Sequence, residues 1–307
     1  MPKARVGFAI FFAVLTVSSS SIFIRFAQES APSLVIAALR LIFATLMLAP
    51  FALTNHRAEL KSLTRREILL ALTAGFFLAL HFATWTSSLE FTTVASSVVF
   101  VSTGPLWVAI LSPMFLDERL ARGALLGLGL ALLGGTVIAL SDACSLADGG
   151  LRCATLSTLT EGRAMLGNGL ALVGAVMVSG YLIIGRKLRV KLSLIPYIFV
   201  VYGMSALVLI AIMFAAGESP LGLSAQTYAW IFLLALFPQL IGHSTYNWAL
   251  KYISASLVAV TTLVEPIGAA ILALIILGES PSVSVILGGV LILIGIYFAS
   301  RPNTETT

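Results

Sequence analysis

The chain has 307 residues, of which 59% are hydrophobic and only 10% charged. A soluble domain carries roughly a quarter of charged residues, so this composition excludes an ordinary globular enzyme. It points instead to a chain whose solvent is the bilayer. The net charge of +5 resides in short loops, as shown below, and calls for no nucleic acid.

A hydrocarbon core takes about 20 apolar residues per helix. Ten such segments are predicted, numbered here in chain order. They are Val6–Ile24, Ser33–Leu53, Ile68–Leu89, Thr92–Leu116, Leu120–Leu140, Met165–Gly185, Leu194–Ala216, Tyr228–Leu250, Ile253–Leu277 and Val283–Ser300. Lys3 and Arg5 before segment 1 imitate a secretory signal, but the apolar run is long and no small-x-small cleavage site follows it. It is read as a mature helix. With the N-terminus inside, fourteen of the 18 Lys and Arg fall in inner segments. Lys61 and Arg189 are among them. Arg25, Arg152 and Arg163 fall outside, and Arg40 lies within segment 2. Basic loops face the cytoplasm, so both termini are placed there, in a multi-pass protein of the inner (plasma) membrane. The long outer connection from Ser141 to Ala164 contains Cys144 and Cys153. In an oxidising space they can pair, and two free thiols are the other reading.

The chain repeats itself at an offset of 161 residues. Pro105, Glu118, Gly127 and Gly134 fall opposite Pro266, Glu279, Gly288 and Gly295. Leu89, Ala109, Ile110 and Leu111 fall opposite Leu250, Ala270, Ile271 and Leu272. Ser18 and Arg25 fall opposite Ser179 and Arg186. Each copy holds five segments, so the second enters the membrane the opposite way round. Inverted repeats of this kind belong to transporters that alternate access around a midplane site. The fold class is therefore an all-α integral membrane protein with ten transmembrane helices in two inverted five-helix repeats. The repeats are residues 1–146 and 162–307, joined by an external linker, 147–161.

The stretch LHFATWTSSLEFTTVASSVVFVSTGPLWVAILSPMFLDERL, which ends at Leu120, resembles the EamA-type branch of the drug/metabolite transporter superfamily. GHSTYNWALKYISASLVAVTTLVEPIGAAILALIILGES, at Gly242–Ser280, resembles the second EamA unit, and Ala38–Arg40, followed by a long apolar run, resembles the second helix of these units. The resemblance covers nearly the whole chain. It implies ten helices, two inverted repeats and secondary transport of small metabolites, commonly export, over a wide range of solutes. Many members have a Trp in the first helix, where this chain has Ser18–Ser21.

Polar side chains inside a bilayer are costly and face a partner or a watery cavity. In segment 3, His81, Trp85 and Ser88 share one helical face. In segment 8, Gln239, His243 and Asn247 form a polar stripe bordered by Tyr246. Glu265 stands before Pro266 near the middle of segment 9, and Gly104–Pro105 takes the equivalent place in segment 4. Proline removes a backbone donor and loosens the preceding turn. Two readings of Glu265 are open: a proton-carrying carboxylate, or an internal ion pair with Arg40. Arg40 can receive a substrate carboxylate. Ser18, Ser21 and Tyr181 offer hydroxyls, and Ser179 mirrors Ser18. Glu118 and Glu279 read as a structural turn or gate. The glycines of segments 5 and 10 read as close-packing positions.

No GxSxG, HExxH, P-loop or CxxC motif is present, and His56, His81 and His243 lack metal-ligand spacing. No cofactor or metal is expected. The predicted function is a secondary transporter, in membrane lipid, that exports a small organic solute by alternating access with proton coupling. Aromatic or other amphiphilic amino acids are the leading solute class. A monomer or weak homodimer is expected. The competing readings are a membrane-embedded enzyme on a lipid-linked substrate, with Glu265 and His243 as its pair, and a non-transporting sensor or scaffold.

Overall fold

The computed structural model describes residues 3–116, 123, 125–127, 129, 130, 133, 134, 136, 137, 144–147, 150–153 and 162–299. Within them, eight helical spans are long and apolar enough to cross a membrane. They are Arg5–Gln28, Ser33–Asn55, Arg65–Ser88, Val94–Phe115, Arg163–Arg189, Leu194–Ala215, Ala225–Ala249 and Ala255–Leu277. These correspond to segments 1–4 and 6–9. Segment 10 forms the shorter helix Val283–Ala299. Segment 5 falls largely outside the described residues, and so does Glu118.

Local chemistry sets the span ends. Thr64 and Glu67 form a reciprocal capping box at the start of segment 3, with Thr64 N donating to Glu67 Oε2 at 2.9 Å. Thr93, Ser224 and Ser254 cap segments 4, 8 and 9 by accepting from the backbone three residues on. Such caps answer amides that the first helical turn leaves unpaired. Segment 9 ends at Gly278, whose φ of 71° lies in the left-handed region that glycine tolerates.

The exterior is apolar. Phe8, Phe11, Leu46, Leu69, Leu207, Ile275 and Ile286 all stand exposed, as expected where lipid is the neighbour. The interior holds small residues and polar side chains, including Arg40, Gln239 and Asn247 at 0% exposure. Segment 3 packs on segments 6 and 7, segment 2 on 7, and segment 1 on 8 and 9. Segment 4 packs on 6 and 9. Between segments 5 and 10, a Cβ at Gly123 would run into the backbone carbonyl of Phe298, whereas one at Gly289 would meet open space. Only the first of these two needs its glycine for close packing.

Among the described residues, one small element is not helical. Cys144–Ala147 and Gly150–Cys153 pair as an antiparallel hairpin, with Cys144 opposite Cys153. Both readings of the two thiols, paired or free, concern side chains outside what the structure describes.

Arg189 is only 2% exposed and donates to the carbonyls of Asn247 and Leu192. It is therefore a poor labelling position, whereas Lys61 and Lys191 are exposed. At the opposite end, Leu221 is 79% exposed. In a cysteine-free background, an impermeant thiol reagent applied to intact cells should label a cysteine at Leu221. A cysteine at Lys61 or Lys191 should react only after permeabilisation. The reverse pattern would overturn the orientation read from the basic loops.

Candidate functional site

Two central helices are broken, and they break at positions 161 residues apart. Segment 4 runs Val94–Val101, turns at Ser102 and Thr103, and restarts at Gly104. Segment 9 runs Ala255–Thr261, tightens to a 3₁₀ turn at Thr262–Val264, and restarts at Glu265. In each, proline is the second residue of the new helix, where its missing N–H costs least. Each restart is held by a serine from a neighbouring span. Ser179 Oγ shares its proton between the Ala175 carbonyl at 2.7 Å and the Gly104 carbonyl at 3.0 Å, and Ser18 Oγ reaches the Glu265 carbonyl at 3.4 Å. Ser18 and Ser179 are themselves 161 apart.

The breaks border a cavity between the first and second halves of the chain. His81 and Trp85 line it from segment 3, and Ser102, Gly104 and Pro105 from segment 4. Tyr181 comes from segment 6, His243 and Tyr246 from segment 8, and Thr262 and Glu265 from segment 9. About 50 Å³ is open to the centre of a water-sized sphere, room for a few waters. His81 and Trp85 stack, with ring centroids 5.8 Å apart and 18° between planes. His81 Nδ1 lies 2.9 Å from the Gly174 carbonyl. A carbonyl can only accept, so Nδ1 is the donor here and carries a proton. Trp85 Nε1 and Tyr246 OH are buried without partners.

Six of the eleven predicted site residues thus meet in one cavity: His81, Trp85, Tyr181, His243, Tyr246 and Glu265. The others do not line it. Ser18 spends its hydroxyl on the Glu265 backbone. Ser21 is buried with its Oγ unpartnered. Arg40 donates from Nε to Gln239 Oε1 at 2.8 Å and from Nη1 to Ser20 Oγ at 3.2 Å. Asn247 donates to Tyr181 OH and to the His243 carbonyl. The expected stripe is split between three neighbours, and Ala235–His243, around Pro238, is wound as a π-helix. Gln239 turns to Arg40, His243 to the cavity and Asn247 to Tyr181. Arg40 and Glu265 form no direct ion pair; those among the described residues are Arg25–Glu279 and His56–Glu59.

At the Arg25 end, Glu279 ties three spans together. Its Oε1 lies 3.6 Å from Arg25 Nη2, and its Oε2 accepts from Val94 N at 3.2 Å. Arg25 Nη2 also donates to the Thr92 carbonyl at 2.9 Å. Beside this, Ser33 Oγ donates to Glu90.

The sequence model of the EamA-like transporter family matches residues 5–140 and again 165–301. The chain belongs to the EamA-like transporter family. That family is one of transporters rather than enzymes. An uncharacterized transporter of Clostridium kluyveri is 23% identical over 254 residues, covering 81% of this chain and 78% of its own. A solved crystal structure 16% identical to the chain superposes with a TM-score of 0.70 over 99% of both chains, a likeness of fold.

For an EamA-like chain, the serine contacts impose a packing requirement. A Cβ at Gly268 would run into Ser18 Oγ and lie 2.7 Å from its Cβ. Gly268→Ala should therefore push segment 1 off the Glu265 restart, at an overpacking cost of about 1–3 kcal/mol. Ser179→Ala removes one hydrogen bond and should cost less, about 0.6 kcal/mol on the average for membrane interiors. Unfolding midpoints of the purified variants in mild detergent check this order.

Proposed function

We propose that this chain is a secondary transporter that exports a small organic solute by alternating access. The observation that carries the reading is the convergence of two helix restarts, Gly104–Pro105 and Glu265–Pro266, on one cavity between the halves. Discontinuous helices at a repeat interface are where transporters hold substrate and coupling ions. The proposed body has ten transmembrane helices in two inverted repeats, 1–146 and 162–307. Three observations support it. The family pattern matches twice, at 5–140 and 165–301. The serine contacts recur at the repeat offset. Packing partners also exchange when each segment is replaced by the one five places on or back. Segment 3 meets 6 as 8 meets 1, and 4 meets 6 as 9 meets 1.

In this reading both termini are cytoplasmic, and the Arg25–Glu279 contact closes the outer end. The cavity wall offers aromatic faces at Trp85, Tyr181 and Tyr246 beside the polar groups of His81, His243 and Glu265. That mixture suits an amphiphilic solute, with aromatic amino acids as the leading class. The transporting unit is a monomer, or one protomer of a weak homodimer.

Glu265 is the proposed coupling group. A charged carboxylate at mid-membrane costs roughly 2.5–3.5 kcal/mol on insertion scales, and no cation pairs with it directly. A group that takes a proton in one facing state and releases it in the other turns that cost into coupling. Glu265→Gln keeps the shape and removes the charge. In proteoliposomes it should abolish accumulation driven by a pH gradient while preserving solute exchange. Wild-type accumulation in the variant would overturn the coupling role. Loss of folded protein would make Glu265 a structural residue.

A further inference from the structure

Among the described residues, Arg40 is a buried cation with no anion in contact; Glu265 acts on it only through space. Its guanidinium, at 0% exposure, has neutral partners only, Gln239 Oε1 and Ser20 Oγ. Its Nη2 is buried without any partner. Arginine can only donate, so the Arg40 contact fixes the Gln239 oxygen toward the guanidinium. The amide nitrogen is then the free end of Gln239, and it too is buried and unpartnered. Two unanswered donor groups therefore sit on hydrogen-bonded neighbours, one of them charged. Water can bridge such donors but cannot neutralise the charge.

The Phe82 ring touches both Arg40 and the cavity wall. Phe82 lies with its centroid 4.0 Å from Arg40 Cζ. On its other contacts, Phe82 is 4.8 Å from the His81 ring and 5.3 Å from the His243 ring. Both histidines line the cavity. Phe82 is one side chain of a regular helix, and Gln239 belongs to the π-wound stretch of segment 8, a geometry frequent at functional sites.

We infer that Arg40 Nη2 and Gln239 Nε2 are the seat for the carboxylate of the transported solute, reached from the cavity when Phe82 turns aside. The inference rests on reading the cavity as the solute site, and it narrows the solute to one bearing a carboxylate. Two donor groups on adjacent side chains match the two oxygens of a carboxylate. A phosphate, with its greater charge, would want further cations, and no Lys or Arg lines the cavity.

The test uses the purified full chain and two matched trios of probes. One is phenylalanine, phenethylamine and 3-phenylpropionate. The other is leucine, isoamylamine and 4-methylpentanoate. Binding is read as a shift in unfolding temperature in detergent, and movement as exchange in proteoliposomes. Within a trio that is bound, the amino acid and the acid should half-saturate at least tenfold below the amine. Arg40→Gln should raise the half-saturating concentration for the acid at least tenfold, and Arg40→Lys by less. Gln239→Glu supplies a carboxylate to Arg40 from within. It should raise the unfolding temperature and abolish binding of the acid, which tests the seat even if Arg40→Gln does not fold. An amine that binds or moves as well as its acid overturns the carboxylate seat alone. So does a Gln239→Glu protein that binds the acid like the wild type. If no member of either trio binds or moves, both this inference and the proposed solute class fall.

Discussion

A helix that breaks inside hydrocarbon strands backbone carbonyls where no water reaches them, and the rest of this structure depends on how that problem is met. Every backbone polar group at membrane depth must find a partner within the protein. Segments 4 and 9 break before Pro105 and Pro266; the Ser102 and Thr103 amides turn back to the Val98 and Phe100 carbonyls of the piece just ended, and the hydroxyls of Ser179 and Ser18 approach the first carbonyls of the two restarts. Those hydroxyls reach only because segments 6 and 1 approach closely, which is why Gly268 has no space for a side chain. The breaks in segments 4 and 9 both border one cavity, which Glu265 lines together with His243 and Tyr246.

The two halves are not copies in detail, and the difference lies where selectivity is proposed. Segment 3 is a continuous α-helix from Arg65 to Ser88. Its counterpart, segment 8, carries Pro238 and is π-wound from Ala235 to His243. In this π-wound stretch Gln239 bonds Arg40 while His243 lines the cavity. The Phe82 ring touches both Arg40 and the His243 ring.

Much of this was legible in the sequence because membrane constraints are coarse. Eight of the ten predicted segments emerge as long spans, with ends displaced by a few residues, since length and hydropathy alone decide a crossing. The 161-residue offset located both helix restarts, because proline acts on its own backbone wherever it sits. His81 and Trp85 shared a face as their spacing dictated. The Gln239–His243–Asn247 stripe did not; its spacing assumed an α-helix, and Ala235–His243 is π-wound. Pro238, four residues before Gly242, was the available signal for altered winding. Ser18 was read as a cavity hydroxyl. Its claim by the Glu265 carbonyl depends on tertiary approach, which no local pattern encodes. Phe82 and Ser20 were not singled out at all, since their importance comes from Arg40, another segment's residue.

The ends of the molecule differ in the kind of contact that holds them. At one end the Arg25–Glu279 pair is 26% and 32% exposed, and a solvated ion pair of this sort stabilises by only about 0–1 kcal/mol. At the other, Arg189 is sealed at 2% exposure and bonded to the carbonyls of Asn247 and Leu192. Parting the first contact costs little more than thermal energy. Parting the second breaks the bond from a buried guanidinium to the Asn247 carbonyl. Under the proposed alternating access the two doors thus hang on unequal springs: one answers to the ionic strength of its own aqueous phase, while the other must give up a buried hydrogen bond before it opens.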